Sequence, residues 1–383
     1  MLKIELSKPA RKDTYLYPIA KLLKDIVKTD RCMLCGGCVA ACPVSAIGIK
    51  DYKPTLVSSC YVCGICYTHC PRTGLNFDEV EQHVFGRVRS SEDKIGIYSS
   101  IAVARAKDPK LNKLGQDGGV ITALLKYALD KGYLKGAITT KRINSTSWEP
   151  TPFFANSNNI YETAGAIYSV SASNQLIGKI YQEYSNFVGC NLCMNSIGLV
   201  GTPCQIESFR KMQFSDHGRL KIADIVSLTI STFCWGNYHY DKLKEFLESK
   251  GYNLSKITKI VIKKGVLTGY ENTTPVFSFK ISELKGVKMT ACSECMDLTG
   301  ELADISVGGQ GVAEGWSFVI LRTEFGEKIF NEAVEAGYLD SGSSKTASEA
   351  LKEIIESSNK KKEQNKVNIE SSPDALVKIS HRI

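Results

Sequence analysis

CMLCGGCVAACP (32–43) and CYVCGICYTHCP (60–71) are one pattern written twice. Cys32, Cys35, Cys38 and Cys42 recur at a constant offset of 28 as Cys60, Cys63, Cys66 and Cys70, and both copies end in Cys-Pro. Eight of the chain's 14 cysteines lie in these two runs. Disulfide frameworks belong to short secreted chains, and this one has 383 residues, so clustered cysteines read as metal ligands in a reducing cytoplasm. The length predicts two domains. A composition of 43% hydrophobic and 23% charged residues is that of a globular protein, not of a disordered or collagen-like one. No apolar run approaches the roughly 18 residues of a transmembrane helix, and residues 1–17 lack the apolar core of a secretory signal. The net charge of +8 is spread along the chain. That distribution argues against nucleic acid and suits an anionic ligand or an acidic partner surface.

Each run has the C-x2-C-x2-C-x3-C-P spacing of bacterial-type ferredoxins. Three cysteines two residues apart let a tight loop wrap one face of a cubane, while the fourth lies on the following helix and points elsewhere. Ligation therefore crosses between the copies. One 4Fe-4S cluster is assigned to Cys32, Cys35, Cys38 and Cys70, and a second to Cys60, Cys63, Cys66 and Cys42. Gly36, Gly37 and Gly64 are expected to let backbone N–H groups approach the sulfurs. A pair of zinc knuckles or a disulfide framework is the competing reading, and two complete copies with both prolines weigh against it.

The runs divide the chain into a lead-in (1–27), an α+β ferredoxin-like dicluster domain with a two-fold pseudo-repeat (28–80), a polar linker (81–97), an α/β domain (98–340) and a charged tail (341–383). The tail reads as a solvated helix or a disordered end, with partner docking as the alternative. In the α/β domain, strands are expected at 101–106, 136–140, 197–202, 225–234, 276–281, 303–309 and 317–323. A helix is expected after Gly119, where Val120, Ile121, Leu124, Leu125, Ala128 and Leu129 fall at helical spacing. Strand ends converge on one edge of an α/β sheet. Cys204 and Cys234 end two strands, and Cys292 and Cys295 form a C-x2-C pair, so these four are assigned a third 4Fe-4S cluster. Cys190 and Cys193 are the competing pair, with free thiols or simple packing as their plainer role.

Asp117, Gly118 and Gly119 open the helix after a strand and loop, where exposed N–H groups and the helix dipole favour a phosphate. An ordinary turn is the plainer reading. Arg105, Lys107, Lys141 and Arg142 near strand ends are candidate anchors for substrate phosphate or carboxylates, against simple solvated charges. Asp304 and Arg322 read as fold-forming contacts, with a flavin or cluster loop as the alternative.

DGGVITALL (117–125), YSVSASNQLIGK (168–179), VGTPCQIESFRK (200–211), CSECMDLTGELADISVGGQG (292–311) and GWSFVILRT (315–323) together resemble the coenzyme F420 hydrogenase/dehydrogenase beta subunit family over about residues 98–335. The resemblance implies a flavin-binding α/β domain in which FAD lies beside a 4Fe-4S cluster and accepts hydride from the deazaflavin coenzyme. Position by position, it implies FAD contacts at Asp117, Gly118, Gly119 and Thr122, at Ser169 and Asn174, and at Gly201, Thr202 and Pro203. The implied activity is oxidation of reduced coenzyme F420, with electrons leaving singly through three 4Fe-4S clusters. The cofactor supplies the chemistry, so no catalytic triad is expected. Implied partners are subunits of a membrane-peripheral quinone or methanophenazine reductase, or of a soluble reductase, on the cytoplasmic side. Two alternatives remain: a flavin and iron–sulfur reductase of the same family with another substrate, and a non-catalytic ferredoxin-type electron carrier.

Overall fold

The computed structural model describes residues 18–185 and 196–370, so Cys190 and Cys193 lie outside the described residues. Helix α1 (Pro18–Leu22) continues into a π-helical turn over Leu23–Val27 and buries Ile19, Leu22 and Ile26 against the cysteine-rich unit. That unit consists of α2 (Gly37–Ala40), the antiparallel hairpin of β1 (Ile47–Lys50) and β2 (Lys53–Leu56), and α3 (Ile65–Thr68). The repeat in sequence is also a repeat in backbone. Leu34 and Val62 both hold a positive φ, and Gly36 and Gly64 cap α2 and α3 from the left-handed region. That conformation costs a non-glycine residue about 1–2 kcal/mol. It directs the Leu34 N–H onto Cys32 Sγ at 3.5 Å and the Val62 N–H onto Cys60 Sγ at 3.3 Å. The Gly37 N–H also stands on Cys35, so these loops bring backbone amides to the sulfurs as the small residues led one to expect.

The chain continues through α4 (Phe77–Phe85), β3 (Ser100–Ala106), α5 (Pro109–Leu114), α6 (Val120–Asp130), β4 (Gly136–Asn144), β5 (Ser147–Ala155) and α7 (Gln175–Ser185). It then forms β6 (Ile197–Gly201), α8 (Pro203–Gln213), β7 (Val226–Thr232), α9 (Tyr240–Ser249), β8 (Lys259–Lys263), β9 (Val266–Glu271) and β10 (Thr274–Lys280). The last elements are β11 (Ile305–Gly308), β12 (Ser317–Leu321), α10 (Glu324–Glu335), β13 (Leu339–Ser341) and α11 (Ser344–Glu370). Eight strands form one mixed sheet in the order β13-β3-β12-β11-β7-β6-β4-β5, and β8 to β10 form a separate antiparallel sheet. The four central strands, β4, β6, β7 and β11, run parallel, and the outer ones pair antiparallel.

Strands covered on both faces need apolar residues at successive positions. SFVIL in β12 is buried throughout: Val319 and Leu321 face the core under α6 and α10, while Phe318 and Ile320 face Ala347, Ala350 and Ile354 of α11. Across the sheet, α7, α8 and α4 cover Ile138, Ile197 and Leu199. Asp304 and Arg322 are fold-forming contacts. Asp304 accepts from the Thr229 N–H at 2.7 Å and pairs with Arg210, and Arg322 donates to the Ile97 carbonyl and to the Ser306 and Thr299 hydroxyls.

Two segments depart from the sequence expectation. Residues 81–97, expected as a linker, are packed: Ile95 and Ile97 are buried, and Arg89 pairs with buried Glu81 and buried Glu301. The tail, expected as a solvated helix or a disordered end, is over residues 344–370 a helix packed along the domain. Its buried Ser358, Lys361, Lys362 and Asn365 are polar, and apolar periodicity gives no signal for a face that docks through hydrogen bonds. Glu301 joins both segments, pairing with Arg89 and, at 2.9 Å, with Lys362. Removing one partner strands buried charge. Glu301→Ala is expected to destabilise the holoprotein by roughly 3–5 kcal/mol, measured as a lowered thermal unfolding midpoint.

Candidate functional site: three groups of cysteine thiols

None of the described cysteines is in a disulfide. Cys42, Cys60, Cys63 and Cys66 line one cavity together with Pro18, Ile19, Ile47 and Gly64. Cys32, Cys35, Cys38 and Cys70 form a second, electrostatically coupled group, with Cys35, Cys32 and Cys70 acting on Cys38. The crossing between copies arises because each fourth cysteine ends its short helical turn facing the other loop. Backbone amides stand on the sulfurs: besides Leu34 and Val62, the Ala46 N–H reaches Cys42 Sγ at 3.2 Å. Such contacts favour thiolate sulfur and tune bound iron.

Cys204, Cys234, Cys292 and Cys295 line a third cavity with Met33, Val170, Pro203, Asn237 and Lys361. Cys204 rides the first turn of α8 behind Thr202 and Pro203. Cys234 follows β7, Cys292 lies within the 3-10 turn Thr290–Glu294, and Cys295 caps its end. Each sulfur has a polar neighbour: Thr202 Oγ1 at 3.2 Å from Cys204, Asn237 Nδ2 at 3.6 Å from Cys234, Asn237 N–H at 3.3 Å from Cys292, and Lys361 Nζ at 3.7 Å from Cys295. Among the described residues, no group of three or more His, Cys, Asp or Glu could hold a single metal ion. The thiols surround volumes instead of converging on a point, which fits a multi-iron group better than zinc.

Burial pushes the thiols up: Cys32, Cys66 and Cys234 to about 12, Cys70 to about 11, and Cys38 and Cys204 well above the usual range. Unligated, such thiols would be protonated and poor nucleophiles, so catalysis by a free cysteine does not fit. An all-thiol donor set with amide hydrogen bonds fits 4Fe-4S clusters, whose iron would supply the charge that favours deprotonation.

The first and third groups adjoin. Glu294, between Cys292 and Cys295, accepts from Arg31 at 3.1 Å and from Arg72, neighbours of Cys32 and Cys70 respectively. Lys211 of α8 donates to the Cys70 carbonyl at 2.8 Å, and the Asn174 N–H donates to the Cys35 carbonyl at 3.1 Å.

The residues to which the resemblance assigns FAD fall in two places. Asp117, Gly118, Gly119 and Thr122 surround the start of α6, which has no side-chain cap. Burial raises the Asp117 carboxyl, against the pull of Lys263 and Lys259 on β8. A Cβ on Gly118 would sit 2.8 Å from the Ala104 carbonyl oxygen, and one on Gly119 would sit 2.9 Å from that of Leu111, so backbone packing alone requires both glycines. Gln116 Oε1 is buried without a hydrogen-bond partner. Ser169, Asn174, Gly201, Thr202 and Pro203 gather beside the third cavity, where Asn174 Nδ2 donates to the Gln205 carbonyl at 2.8 Å and Thr202 forms a capping box with Gln205. Residues 168–174 link the two places. The Gln116 side-chain amide donates to the Tyr168 hydroxyl, Val170 lines the third cavity, and the Asn174 N–H reaches the Cys35 carbonyl.

Of the basic candidates, Arg105 and Lys107 pair with Asp340, Lys141 pairs with Glu162, and half-buried Arg142 stacks on Trp148 at 4.8 Å. Lys361, Asn237, Glu294 and the Lys259/Lys263 pair were missed in the sequence. Only the two lysines carried a local signal, alternating along a β-branched strand.

This arrangement, a twin cysteine-loop unit docked on a mixed α/β sheet with further thiols at its strand ends, defines an iron–sulfur oxidoreductase module. Two family models, coenzyme F420 hydrogenase/dehydrogenase beta subunit N-term and C terminus, match residues 101–177 and 194–346, and a 4Fe-4S binding domain model matches residues 26–48. The coenzyme F420 hydrogenase subunit beta of Methanothermobacter thermautotrophicus is 33% identical over 277 residues, 72% of this chain and 95% of that relative. One of the F(420)H(2) dehydrogenase subunits of Methanosarcina mazei is 27% identical over 322 residues, covering 81% and 84% of the two chains. A coenzyme F420-dependent sulfite reductase of Methanocaldococcus jannaschii is 32% identical over 327 residues, of which the match spans 47% of that relative. Among solved structures, a chain of the F420-reducing NiFe hydrogenase complex from Methanosarcina barkeri superposes with a TM-score of 0.67 at 26% identity, covering 74% of this chain and 94% of that one. The chain belongs to the coenzyme F420 hydrogenase/dehydrogenase beta subunit family.

Crossed ligation has a direct test. In anaerobically prepared protein, Cys42→Ala is expected to abolish the same electron paramagnetic resonance signal as Cys60→Ala and to spare the one lost in Cys32→Ala. Pairing of the Cys42→Ala and Cys32→Ala losses would show ligation within each copy.

Proposed function

We propose that the chain is the electron-input subunit of a coenzyme F420-dependent oxidoreductase: it oxidises the reduced coenzyme with FAD and passes electrons through three 4Fe-4S clusters to a partner subunit. The observation that carries this reading is residues 168–174, whose ends touch the α6 loop and Cys35 and whose middle lines the third cavity. One short stretch thus borders the proposed flavin site and two of the three thiol groups. Bound FAD exchanges a two-electron hydride donor for carriers that take one electron at a time.

The chain's own residues suit this role. The uncapped start of α6 offers N–H groups and the positive end of its dipole to a pyrophosphate, and Gln116 Oε1 is a buried acceptor awaiting a donor. Lys259 and Lys263 supply positive charge across from Asp117, and Arg142 on Trp148 is suited to a carboxylate or phosphate of the coenzyme. Thr202 and Pro203 border both the Ser169–Asn174 stretch and the third thiol group. Glu294 with Arg31 and Arg72 holds that group beside the first one, and exposed Cys63 places the group around Cys60 outermost, where a partner can approach. No helix among the described residues is long and apolar enough to cross a membrane, so contact with a quinone or methanophenazine reductase would be peripheral.

Anaerobic purification with iron and flavin quantified per chain, followed by the deazaflavin absorbance after adding reduced coenzyme F420 and a viologen, tests the proposal. About twelve iron, as three 4Fe-4S clusters require, with one FAD and oxidation of the coenzyme is the expected result. About eight iron without flavin would make the chain a ferredoxin-type carrier. Full cofactor content without turnover would point to another hydride donor.

A further inference from the structure

Lys361 is buried at 3% exposure, in a lysine run that reads as solvent-facing. Its Nζ donates to the Cys234 carbonyl at 2.6 Å and to the Asp297 carbonyl at 2.7 Å, and lies 3.7 Å from Cys295 Sγ. Two carbonyl anchors leave the ammonium no freedom to swing toward water. One helical turn on, Asn365 Nδ2 donates to the Cys292 carbonyl at 3.2 Å and the Cys295 carbonyl at 2.6 Å, and Asn368 Nδ2 donates to the Ser293 carbonyl at 3.0 Å. Residues 361, 365 and 368 thus form a stripe of α11 that straps the Cys292–Cys295 turn. This part of the helix lies beyond the family model, which ends at residue 346.

We propose that Lys361 is a positioning residue whose fixed positive charge raises the reduction potential of the cluster held by Cys204, Cys234, Cys292 and Cys295, with α11 as the strap that keeps the charge in place. This rests on the three-cluster reading above. Reduction adds one negative charge to the cluster, and a cation held at the ligand sulfur stabilises the reduced form more than the oxidised one. The effect is large because the ammonium is almost wholly shielded from solvent, and the low effective dielectric of such a site strengthens the interaction. The other three sulfurs of the cavity receive contacts from uncharged groups, Thr202 and Asn237. Lys288 and Arg72 also act electrostatically on Cys292 and Cys295, but Lys361 is the cation seen in contact with a sulfur of the cavity, on the side covered by α11.

The test is a mediated redox titration of the full-length, iron-loaded protein, followed by electron paramagnetic resonance, with dithionite as reductant so that coenzyme activity plays no part. The signal of the third cluster is identified by its absence in Cys292→Ala. Lys361→Met is expected to keep its iron and to shift this one signal to lower potential by at least about tenfold in the reduction equilibrium, about 59 mV for a one-electron couple. Lys361→Arg, which keeps the charge, is expected to titrate like the parent, as is Asn365→Ala, which removes a strap contact but no charge. A fully loaded Lys361→Met protein that titrates like the parent overturns the inference. So does a Lys361→Arg or Asn365→Ala shift as large as that of Lys361→Met, which would assign the effect to packing. Should Lys361→Met lose iron, Lys361→Arg decides: retained iron and potential support the charge, and loss of iron overturns it. A parent protein with only about eight iron would instead refute the three-cluster reading itself.

Discussion

Glu294 lies between two cysteines of the α/β domain and holds two arginines of the cysteine-rich unit, each next to a cysteine there. All three side chains are largely removed from water, and burial together with the neighbouring Arg31 pulls the Arg72 pKa down. A buried triad of this kind adds little net stability over an apolar contact of the same shape, yet it is costly to break, because any missing member leaves charge stranded. Its value is registry. A hydrophobic interface between the two domains would tolerate sliding by a fraction of an ångström, whereas a carboxylate shared by two guanidinium groups defines one arrangement. Thiol groups carried by the cysteine-rich unit and by the sheet are thereby held at one fixed separation.

The same logic recurs at the other junctions. Lys211 reaches from α8 to the Cys70 carbonyl, and Glu301 collects Arg89 from the segment after α4 and Lys362 from α11. Charged and polar side chains join apolar contacts in stitching the cysteine-rich unit, the inter-domain segment and the C-terminal helix to the sheet: Ile95 and Ala347, Ala350 and Ile354 of α11 pack on Phe318 and Ile320, and Leu34 packs with Val170, Ala172 and Met289.

These contacts explain how much of the molecule could be read from its sequence. The eight cysteines of the repeat declare themselves by local spacing, and the central strands by continuous β-branched runs flanked by glycine. Cys204 and Cys234 could be grouped with Cys292 and Cys295 because sheet topology brings strand ends together. Lys361, Asn365 and Glu294 could not be found that way. Their partners lie 64 or more residues away along the chain, and their burial is sustained by hydrogen bonds that leave no periodic trace. For the same reason a packed segment at 81–97 reads as a linker and a docked helix reads as a tail. At the start of α6 the difficulty is the reverse: the glycines that suggest a phosphate site are already required by the carbonyls of Ala104 and Leu111. There the uncapped helix and Gln116 are more informative than the motif.

The two cysteine loops share a backbone but not a setting. A Cβ on Gly36 would lie 2.4 Å from the Ala172 carbonyl oxygen, whereas one on Gly64 would meet nothing closer than Pro18 at 3.7 Å among the described residues. The two loops are thus constrained differently: the inner copy packs against the rest of its own chain, whereas the outer copy meets little of it among the described residues. A loop grafted in from another protein could replace the outer copy with little regard for its surroundings, provided it kept the cysteines and a glycine for the left-handed conformation at position 64. At the inner loop the same graft would be rejected unless it brought glycine at that position and arginines in register with Glu294. A repeat that is symmetric in sequence is therefore one-sided in what its surroundings demand of it.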